Sequence, residues 1–476
     1  MRWCLSLAIV LSACRGSSVP EPSPAGRAAP VIPQAPADAV AAADPWAPAD
    51  AMPVTPAQRA ARVAGALARV ATIQPQLAVV RELAMPTPVP AEHQTTEQFR
   101  AFVQTSLAEE LPAAKAVPLQ RGLLHLGVFM KSFDLAKVLE QTMTSQAAAY
   151  YDPAAKKFFV VMVPESDMLL DTMSAHELTH ALQDHHFDLT KYLPPTLDDD
   201  AASARRFVVE GDATFTMFAY LATKGGGADK LKPVLGMLRT QIEAAAAMGI
   251  SDYATAMKQQ AAAFPGMDDS MKTAMESMED LPPVIIGPMI DSYMKGAVVA
   301  ITAYEAGGWK AVDALYATPP DSTEQVLHPA TKLVGTRERP RKVTLPALPG
   351  TEVTRNVMGE LQWAIYLQQW GAPEAAAAAA GWGGDRYLVV EQGGHLVGYL
   401  ATVWDAPADA QAFAAAYVAT LAKRFPGADV SAPAAGVPRG DHGKVFVRLD
   451  GAKVFIVDGA DDAKAIEALA RGTRIQ

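Results

Sequence analysis

Residues 174–189, SAHELTHALQDHHFDL, decide how this chain folds and what it can bind. The segment predicts a helix at about 166–186, which a loop containing Pro194-Pro195 follows. His176 and His180 are four residues apart, so a helix places both imidazoles on one face, where both can reach a single Zn²⁺. Glu177 follows the first His, and its carboxylate projects toward a water on the metal. The pattern predicts a zinc site in which Glu177 takes up the proton of that water.

A catalytic zinc needs a third protein ligand and one position for water. Glu210 is the first candidate and lies in RRFVVEGDATFTMF, within a helix predicted at about 201–223 and capped by Asp200 or Ser203. A carboxylate among apolar helix neighbours is costly unless it is paired or bound to a metal. The alternative for Glu210 is an ion pair with Arg206.

His186 is the second candidate for the third ligand, because it follows His180 by six residues. This spacing resembles the metzincin pattern, His-Glu-x-x-His-x-x-Gly-x-x-His, in which the Gly lets the helix end so that the last His can turn back to the metal. Gln183 stands at that position and favours a continuing helix, which carries His186 about 9 Å further along the axis. We therefore favour Glu210, with His185 and His186 as groups that could support the ligands.

The segments HELTHALQDHHFDL and VVEGDATF together resemble the gluzincin group of zinc metallopeptidases, in which a Glu-x-x-Ala motif carries the third ligand. The stretches YMKGAVVAITAYEAGGWKAVDALYATPPDSTEQVLHP and GWGGDRY resemble a set of bacterial and archaeal proteins with the same zinc motif. The similarity spans about 148–390. It implies a zinc cofactor with ligands His176, His180 and Glu210, and Glu177 as general base and acid.

The resemblance also implies a substrate-binding strand. The strand at 155–163 would lie at the rim of the cleft, where an exposed edge could pair with an extended peptide. The role of Asp212 stays open, because its offset from Glu210 differs from that of the supporting Asp in the thermolysin-like branch.

A metallopeptidase also uses a group that stabilises the oxyanion, usually a Tyr or His beside the zinc. The candidates are His328, Tyr293 and Tyr304. His328 ranks first as a catalytic residue, because it lies in a loop-like segment, STEQVLHP, that is dense in polar groups.

The N-terminus predicts export and lipid anchoring. Residues 1–13 combine a positively charged start with a short apolar stretch, the layout of a secretory signal peptide. Leu11-Ser12-Ala13-Cys14 resembles the bacterial lipobox, which implies lipidation of Cys14 and an outer-membrane lipoprotein on the periplasmic or cell-surface side. Residues 14–54 are rich in Pro and Ala and predict an extended tether.

The remaining chain predicts an α+β fold, mainly helical with a short β-sheet. Residues 55–345 form a helical domain, zincin-like by the resemblance, with 55–145 as its N-terminal helical part and 146–345 as its catalytic core. AAYYDPAAKKFFVVMV, at 148–163, predicts two short strands around a turn at Asp152-Pro153. A β-β-α-β-β-α order predicts a small C-terminal α+β domain, 346–476, for support or substrate docking.

The chain carries 41 basic and 51 acidic residues, a net charge of −10, so its electrostatics give no reason to expect a nucleic-acid partner. The first functional hypothesis is a zinc endopeptidase acting on peptides or proteins. The second is an inactive envelope lipoprotein whose zinc-stabilised fold serves as a binding or structural module. A metal-dependent lipid or glycan hydrolase is a third possibility, and whether 55–145 acts as an inhibitory segment is left open.

Overall fold

The computed structural model describes residues 55–146, 148–164, 166–248 and 281–476. The fold is 57% helical with a few small sheets, which confirms the predicted mainly helical α+β class. The predicted signal peptide, 1–13, and the predicted tether, 14–54, lie outside the described residues.

The helices of the described part follow one another along the chain, with a 3₁₀ turn at Lys232–Val234 after the eighth. They are α1 (Pro56–Arg81), α2 (Thr96–Glu110), α3 (Ala113–His125), α4 (Leu135–Gln146), α5 (Asp167–Phe187), α6 (Leu189–Tyr192), α7 (Asp199–Thr223), α8 (Ala228–Leu231), α9 (Leu235–Ala246), α10 (Pro283–Gly307), α11 (Trp309–Ala317), α12 (Thr323–Leu327), α13 (Pro329–Lys332), α14 (Gly359–Gln369), α15 (Ala375–Ala379), α16 (Pro407–Arg424) and α17 (Lys464–Gly472).

The strands of the described part form a three-stranded, a six-stranded and a two-stranded sheet. They are β1 (Ala91–His93), β2 (Ala149–Asp152), β3 (Lys157–Val160), β4 (Val343–Thr344), β5 (Thr351–Asn356), β6 (Trp382–Gln392), β7 (His395–Trp404), β8 (Val437–Pro438), β9 (Lys444–Asp450), β10 (Lys453–Ala460) and β11 (Arg474–Ile475).

The three-stranded sheet has the order β1-β3-β2, with β2 antiparallel and β1 parallel to β3. The two strands predicted around Asp152-Pro153 are thereby confirmed. The expected exposed edge at 155–163 is wrong, because β3 is the central strand and its backbone groups are paired on both sides. The outer strand β2 is buried and packs against α5, whereas β1 is largely exposed.

The C-terminal sheet is antiparallel with the order β5-β6-β7-β10-β9-β8. Strands β6 and β7, helix α16, strands β9 and β10 and helix α17 follow one another as the predicted β-β-α-β-β-α order requires. The edge strands β5 and β8 extend this predicted set. One hydrophobic cluster runs from Val70 to Ile456, so the helical part and the C-terminal sheet share a core.

Helices α7 and α10 cross at Gly211 and Gly296. A Cβ atom on Gly211 would overlap the backbone carbonyl of Gly296, and one on Gly296 would overlap the carbonyl oxygen of Phe207. Only glycine allows two backbones to approach this closely. Since Gly211 directly follows Glu210, this crossing also determines where Glu210 lies.

Within the described ranges, two helices, α1 and α10, are long and apolar enough to cross a membrane by length and composition alone. In α10, 67% of the apolar window is buried inside the protein, against 33% in α1. The burial of α10 against α7 is typical of a core helix.

Candidate metal centre

Helix α5 carries the three residues of the predicted zinc motif. Its N-cap is Ser166, whose side chain accepts a hydrogen bond from the Leu169 amide, and it ends at Phe187, close to the predicted bounds. His176, Glu177 and His180 are all buried on this helix. The two imidazole rings meet edge to face with their centroids 4.9 Å apart, so the predicted shared face is confirmed.

Helix α7 brings Glu210 to the two histidines. Its N-cap is Asp198 rather than the predicted Asp200 or Ser203, because the Asp198 side chain accepts from the Ala201 amide. Glu210 Oε2 lies 3.2 Å from His176 Nε2 and 3.5 Å from His180 Nε2. One possible ligand atom from each of the three residues lies within 4.8 Å of the others.

The donor set and its spacing fit a zinc ion. Two ligand atoms bound to one tetrahedral zinc at about 2.0–2.1 Å lie about 3.3–3.4 Å apart. The two observed nitrogen–oxygen separations, 3.2 and 3.5 Å, bracket that value. His180 Nε2 is buried and makes no hydrogen bond within the described part of the chain. Two imidazole nitrogens and one carboxylate oxygen are a ligand set that catalytic zinc sites use.

The other nitrogen of His180 fixes the orientation of its ring. His180 Nδ1 lies 2.8 Å from Gln183 Oε1, an acceptor, so Nδ1 carries the proton and donates it. In the neutral imidazole the lone pair of His180 is then on Nε2, the nitrogen that faces Glu210. A ligand histidine held from behind in this way has one tautomer and one ring orientation.

The charges of the three candidate ligands are coupled. Burial lowers the pKa of His176. Burial also acts to lower the pKa of His180, but the negative charge of Glu210 outweighs it and raises that pKa to about 9. Burial acts to raise the pKa of Glu210, but the positive charge of His180 lowers it to about 2. Glu210 and His180 therefore favour each other's charged form in the metal-free protein, and a cation bound to the neutral His180 ring would take the place of that positive charge.

Strand β2 holds Glu177 beside the three candidate ligands. The Tyr151 amide donates to Glu177 Oε2 at 3.2 Å, and the Tyr151 hydroxyl donates to Asp184 Oδ2 at 2.8 Å. Asp184 lies two turns beyond Glu177 on α5, so Tyr151 ties the strand to the helix at two points. A substrate peptide that paired with the outer edge of β2 would need the Tyr151 amide as a hydrogen-bond donor. That amide already donates to Glu177.

Among the oxyanion candidates, Tyr293 lies beside the candidate metal centre, the group formed by His176, Glu177, His180 and Glu210. It is on α10, and its ring stacks on the His176 ring with a centroid distance of 5.4 Å. Tyr304 instead packs against Phe215 and Trp309 in the core.

His328, the candidate that the sequence ranks first, lies near the N-terminal end of α7, whereas Glu210 lies in the middle of that helix. Its Nε2 is 2.8 Å from Glu360 Oε1. The next residue, Leu361, donates its amide to Thr323, whose own amide donates to Asp200. Asp200 precedes Glu210 by ten residues, or about 15 Å along the helix axis. The structure therefore does not bring His328 to the metal centre.

His186 also lies away from the metal centre. Helix α5 continues through it to Phe187, as Gln183 suggests, and His186 Nε2 donates to the Ala84 carbonyl at 2.7 Å. Glu210, by contrast, contacts both His176 and His180, which places its carboxylate beside the two histidines of the motif.

Sequence reasoning missed the supporting role of Gln183. Its Nε2 donates to the Val209 carbonyl at 2.9 Å and to Asp212 Oδ2 at 3.1 Å. It thereby links α5 to α7 directly behind His180. The sequence offers one indication of this role: Gln183 is a polar residue that directly follows the apolar residues Ala181 and Leu182.

A second group of acidic side chains, Glu324, Glu338 and Asp405, also has one carboxylate oxygen each within 4.8 Å of the others. Lys332 Nζ contacts all three, at 2.5 Å from Glu324, 3.2 Å from Glu338 and 2.8 Å from Asp405. The ammonium group occupies the centre of this cluster, so these carboxylates have their counter-ion within the chain.

The C-terminal part of the chain is similar to a known domain family. Residues 344–470 match the family model described as a domain of unknown function, DUF8575. The matched segment contains the six-stranded sheet and most of α17, and the four residues of the metal centre lie outside it. Searches of curated proteins and of solved structures found no match. The similarity to a described family therefore concerns the C-terminal unit, DUF8575, and not the metal centre.

Proposed function

We propose that the chain is a zinc-dependent metallohydrolase of the gluzincin type, with endopeptidase activity as the leading assignment. The observation that carries this proposal is the meeting of His176, His180 and Glu210 from two helices, with Glu177 held next to them by strand β2. A structural zinc site needs four protein ligands, whereas three leave a position for water.

The roles of the residues follow from their contacts. Zinc bound by the three ligands would supply a Lewis acid and lower the pKa of a water at its open position. Glu177 accepts the proton of the attacking water and delivers it to the leaving amine. Tyr293, which stacks on His176, is the proposed donor to the oxyanion in place of His328.

Substrate would approach from the side of His176 and Glu210. Their side chains retain 5% and 7% exposure, against 1% for His180. Tyr293, on the same side, is 7% exposed. This narrow access favours a small or extended substrate segment. Because β3 is central and the Tyr151 amide is occupied, peptide pairing with β2 or β3 is not part of the proposal.

The second candidate function is a catalytically inactive envelope module with a zinc-stabilised fold. The burial of His176, His180 and Glu210 favours it, since buried ligands leave little room for a substrate to reach a bound metal. Retention of Glu177 favours the hydrolase, because a structural zinc has no use for a general base. The two candidates differ in whether a zinc-loaded chain cleaves peptides.

The first test concerns the ligand set. We expect one zinc per purified chain, measured by inductively coupled plasma mass spectrometry. Glu210→Ala is expected to lose the metal after dialysis, because two histidines alone hold it weakly. His186→Ala is the matched control and is expected to keep it, because the His186 ring bonds to the Ala84 carbonyl, away from the metal centre. Loss of zinc in the His186 variant with retention in the Glu210 variant would reverse the assignment.

The proposed location is the bacterial envelope, with the chain anchored through a lipid on Cys14 and the tether 14–54 holding it off the membrane. We expect Cys14→Ser to shift the protein from the membrane fraction to the soluble fraction in the native host. Metabolic labelling with palmitate should mark the wild-type chain and not the variant. Labelling of both would place the lipid elsewhere, and labelling of neither would remove the anchor from the proposal.

A further inference from the structure

We propose that Arg81, the last residue of helix α1, is a positioning residue for the metal centre, acting on His180 through Asp212 and Gln183. The inference rests on the proposed function and extends it to a helix that lies about 100 residues before the zinc motif. It assigns a role to the N-terminal helical part of the chain, which the sequence leaves open.

The Gln183 amide has a defined orientation. Its Nε2 faces two acceptors, the Val209 carbonyl at 2.9 Å and Asp212 Oδ2 at 3.1 Å. Its Oε1 must then face His180, where it accepts from Nδ1 at 2.8 Å. A flipped amide would set a carbonyl oxygen against two acceptors, which costs free energy in a buried site. Asp212, as one of these two acceptors, therefore helps to hold the Gln183 amide in the orientation that keeps the proton on His180 Nδ1.

Asp212 is an acceptor because donors surround it. It is fully buried and accepts from Arg81 Nε at 2.7 Å and Nη2 at 3.2 Å. The Tyr316 hydroxyl donates at 2.8 Å and the Thr216 hydroxyl at 3.3 Å. The Arg81 guanidinium has only donors and stays charged. It therefore fixes Asp212 as an acceptor, Gln183 Nε2 as a donor to Asp212, and Gln183 Oε1 as the acceptor from His180.

Arg81 is held as rigidly as the residue that it supports. Its side chain is 0% exposed, and its Nη2 also donates to Asp313 at 2.6 Å. The guanidinium lies over the Trp309 ring, 4.6 Å from the centroid, a favourable cation–π geometry. Burial acts to lower the pKa of Arg81, but the charge of Asp212 outweighs it and raises the pKa.

The consequence concerns the N-terminal part of the protein. Arg81 completes a hydrogen-bonded path from α1 through α7 and α5 to a metal ligand. Helix α1 thus supplies the counter-ion of Asp212, which lies behind the proposed ligand His180. We therefore expect removal of α1 to weaken metal binding rather than to release the site from inhibition.

The test uses the full-length chain and measures zinc affinity by competition with a chelator. Gln183→Met and Arg81→Met are each expected to weaken zinc binding about 10–100-fold, the usual effect of removing a group behind a ligand. The visible spectrum of the Co²⁺-substituted protein should change in both variants, because the His180 ring is no longer held. The double variant should bind zinc no more weakly than Gln183→Met alone, since Arg81 acts on His180 only through Asp212 and Gln183.

Arg69→Met is the matched control. Arg69 also lies on α1 and pairs with α5, through Asp171, but its side chain is 38% exposed and outside the hydrogen-bonded path. Its loss should leave zinc affinity and the Co²⁺ spectrum unchanged. If Arg81→Met does not fold, Tyr316→Phe replaces it, because it removes one donor to Asp212 with little change in volume. A several-fold weaker affinity is then expected.

Two results would overturn the positioning role. One is unchanged zinc affinity and an unchanged Co²⁺ spectrum in a folded Arg81 or Tyr316 variant. The other is a double variant whose effects simply add. If the wild-type chain binds no zinc, the proposed function fails. The coupling of Arg81 to Gln183 through Asp212 is then tested by urea unfolding of the metal-free protein. There, additive effects of Arg81→Met and Gln183→Met on urea unfolding overturn it, and non-additive effects support it.

Discussion

Glu177→Gln is expected to lower kcat for peptide hydrolysis by about 10²–10⁴-fold, the usual contribution of a general base. The amide keeps the shape of the side chain but has no basic oxygen to take the proton of the attacking water. It can still accept the hydrogen bond from the Tyr151 amide, which lies 3.2 Å from Glu177 Oε2 in the wild-type chain. Zinc content should therefore stay at one per chain, and KM should change little.

The measurement is single-turnover and steady-state cleavage of a fluorogenic peptide library, with zinc content determined on the same samples. Asp171→Asn is the control, because it neutralises another carboxylate on α5 that pairs with Arg69 rather than the ligands. Full activity in the Glu177 variant would remove its role as general base. A wild-type chain that holds zinc but cleaves no peptide would favour the inactive envelope module.

Gly211→Ala is expected to lower the free energy of unfolding by about 3 kcal/mol or more, the upper range for overpacking a core. The added methyl group would overlap the Gly296 backbone, which cannot move aside as a flexible side chain can. Helices α7 and α10 would have to separate. Because Glu210 precedes Gly211 and Tyr293 lies on α10, zinc affinity should fall as well.

The measurement is urea unfolding of the zinc-free and zinc-loaded protein, compared with Gly65→Ala. Gly65 is also within a helix, α1, but a Cβ there meets nothing within 4 Å in the described part of the chain. This control should leave stability unchanged or raise it by about 0.5–1 kcal/mol, since Ala is the better helix former. Equal effects of the two substitutions would show that the helices do not approach as described.

The metal motif illustrates what local sequence predicts well. The spacing of His176, Glu177 and His180 places them on one face of a helix, because helical geometry is set by neighbouring residues. Gln183 favours a continuing helix, and α5 does continue past His186. Glu210, predicted as the third ligand because its helix neighbours are apolar, lies beside both histidines, and its role as a ligand stays a prediction. The C-terminal order of strands and helices was equally readable from alternation and turns.

The expectations that failed concern pairing between segments. The strand at 155–163 was expected to have an exposed edge, but β1 covers it, and three residues with little pattern gave no indication of that strand. His328 sits in a polar segment, as a functional residue often does, yet its partner is Glu360. Composition shows that a residue is polar; it does not show which helix it faces.

The sequence by itself determined the motif helix, its ligand spacing, the mainly helical α+β class and the C-terminal order of elements. Only the tertiary structure decided that Tyr293 stacks on His176, that Gly211 meets Gly296, and that Arg81 supports Asp212 across 131 residues of chain. The physical reason is the separation along the sequence of the residues that make contact. Helix periodicity repeats within a few residues, whereas these contacts depend on how whole helices pack, and many distant segments could satisfy the same local pattern.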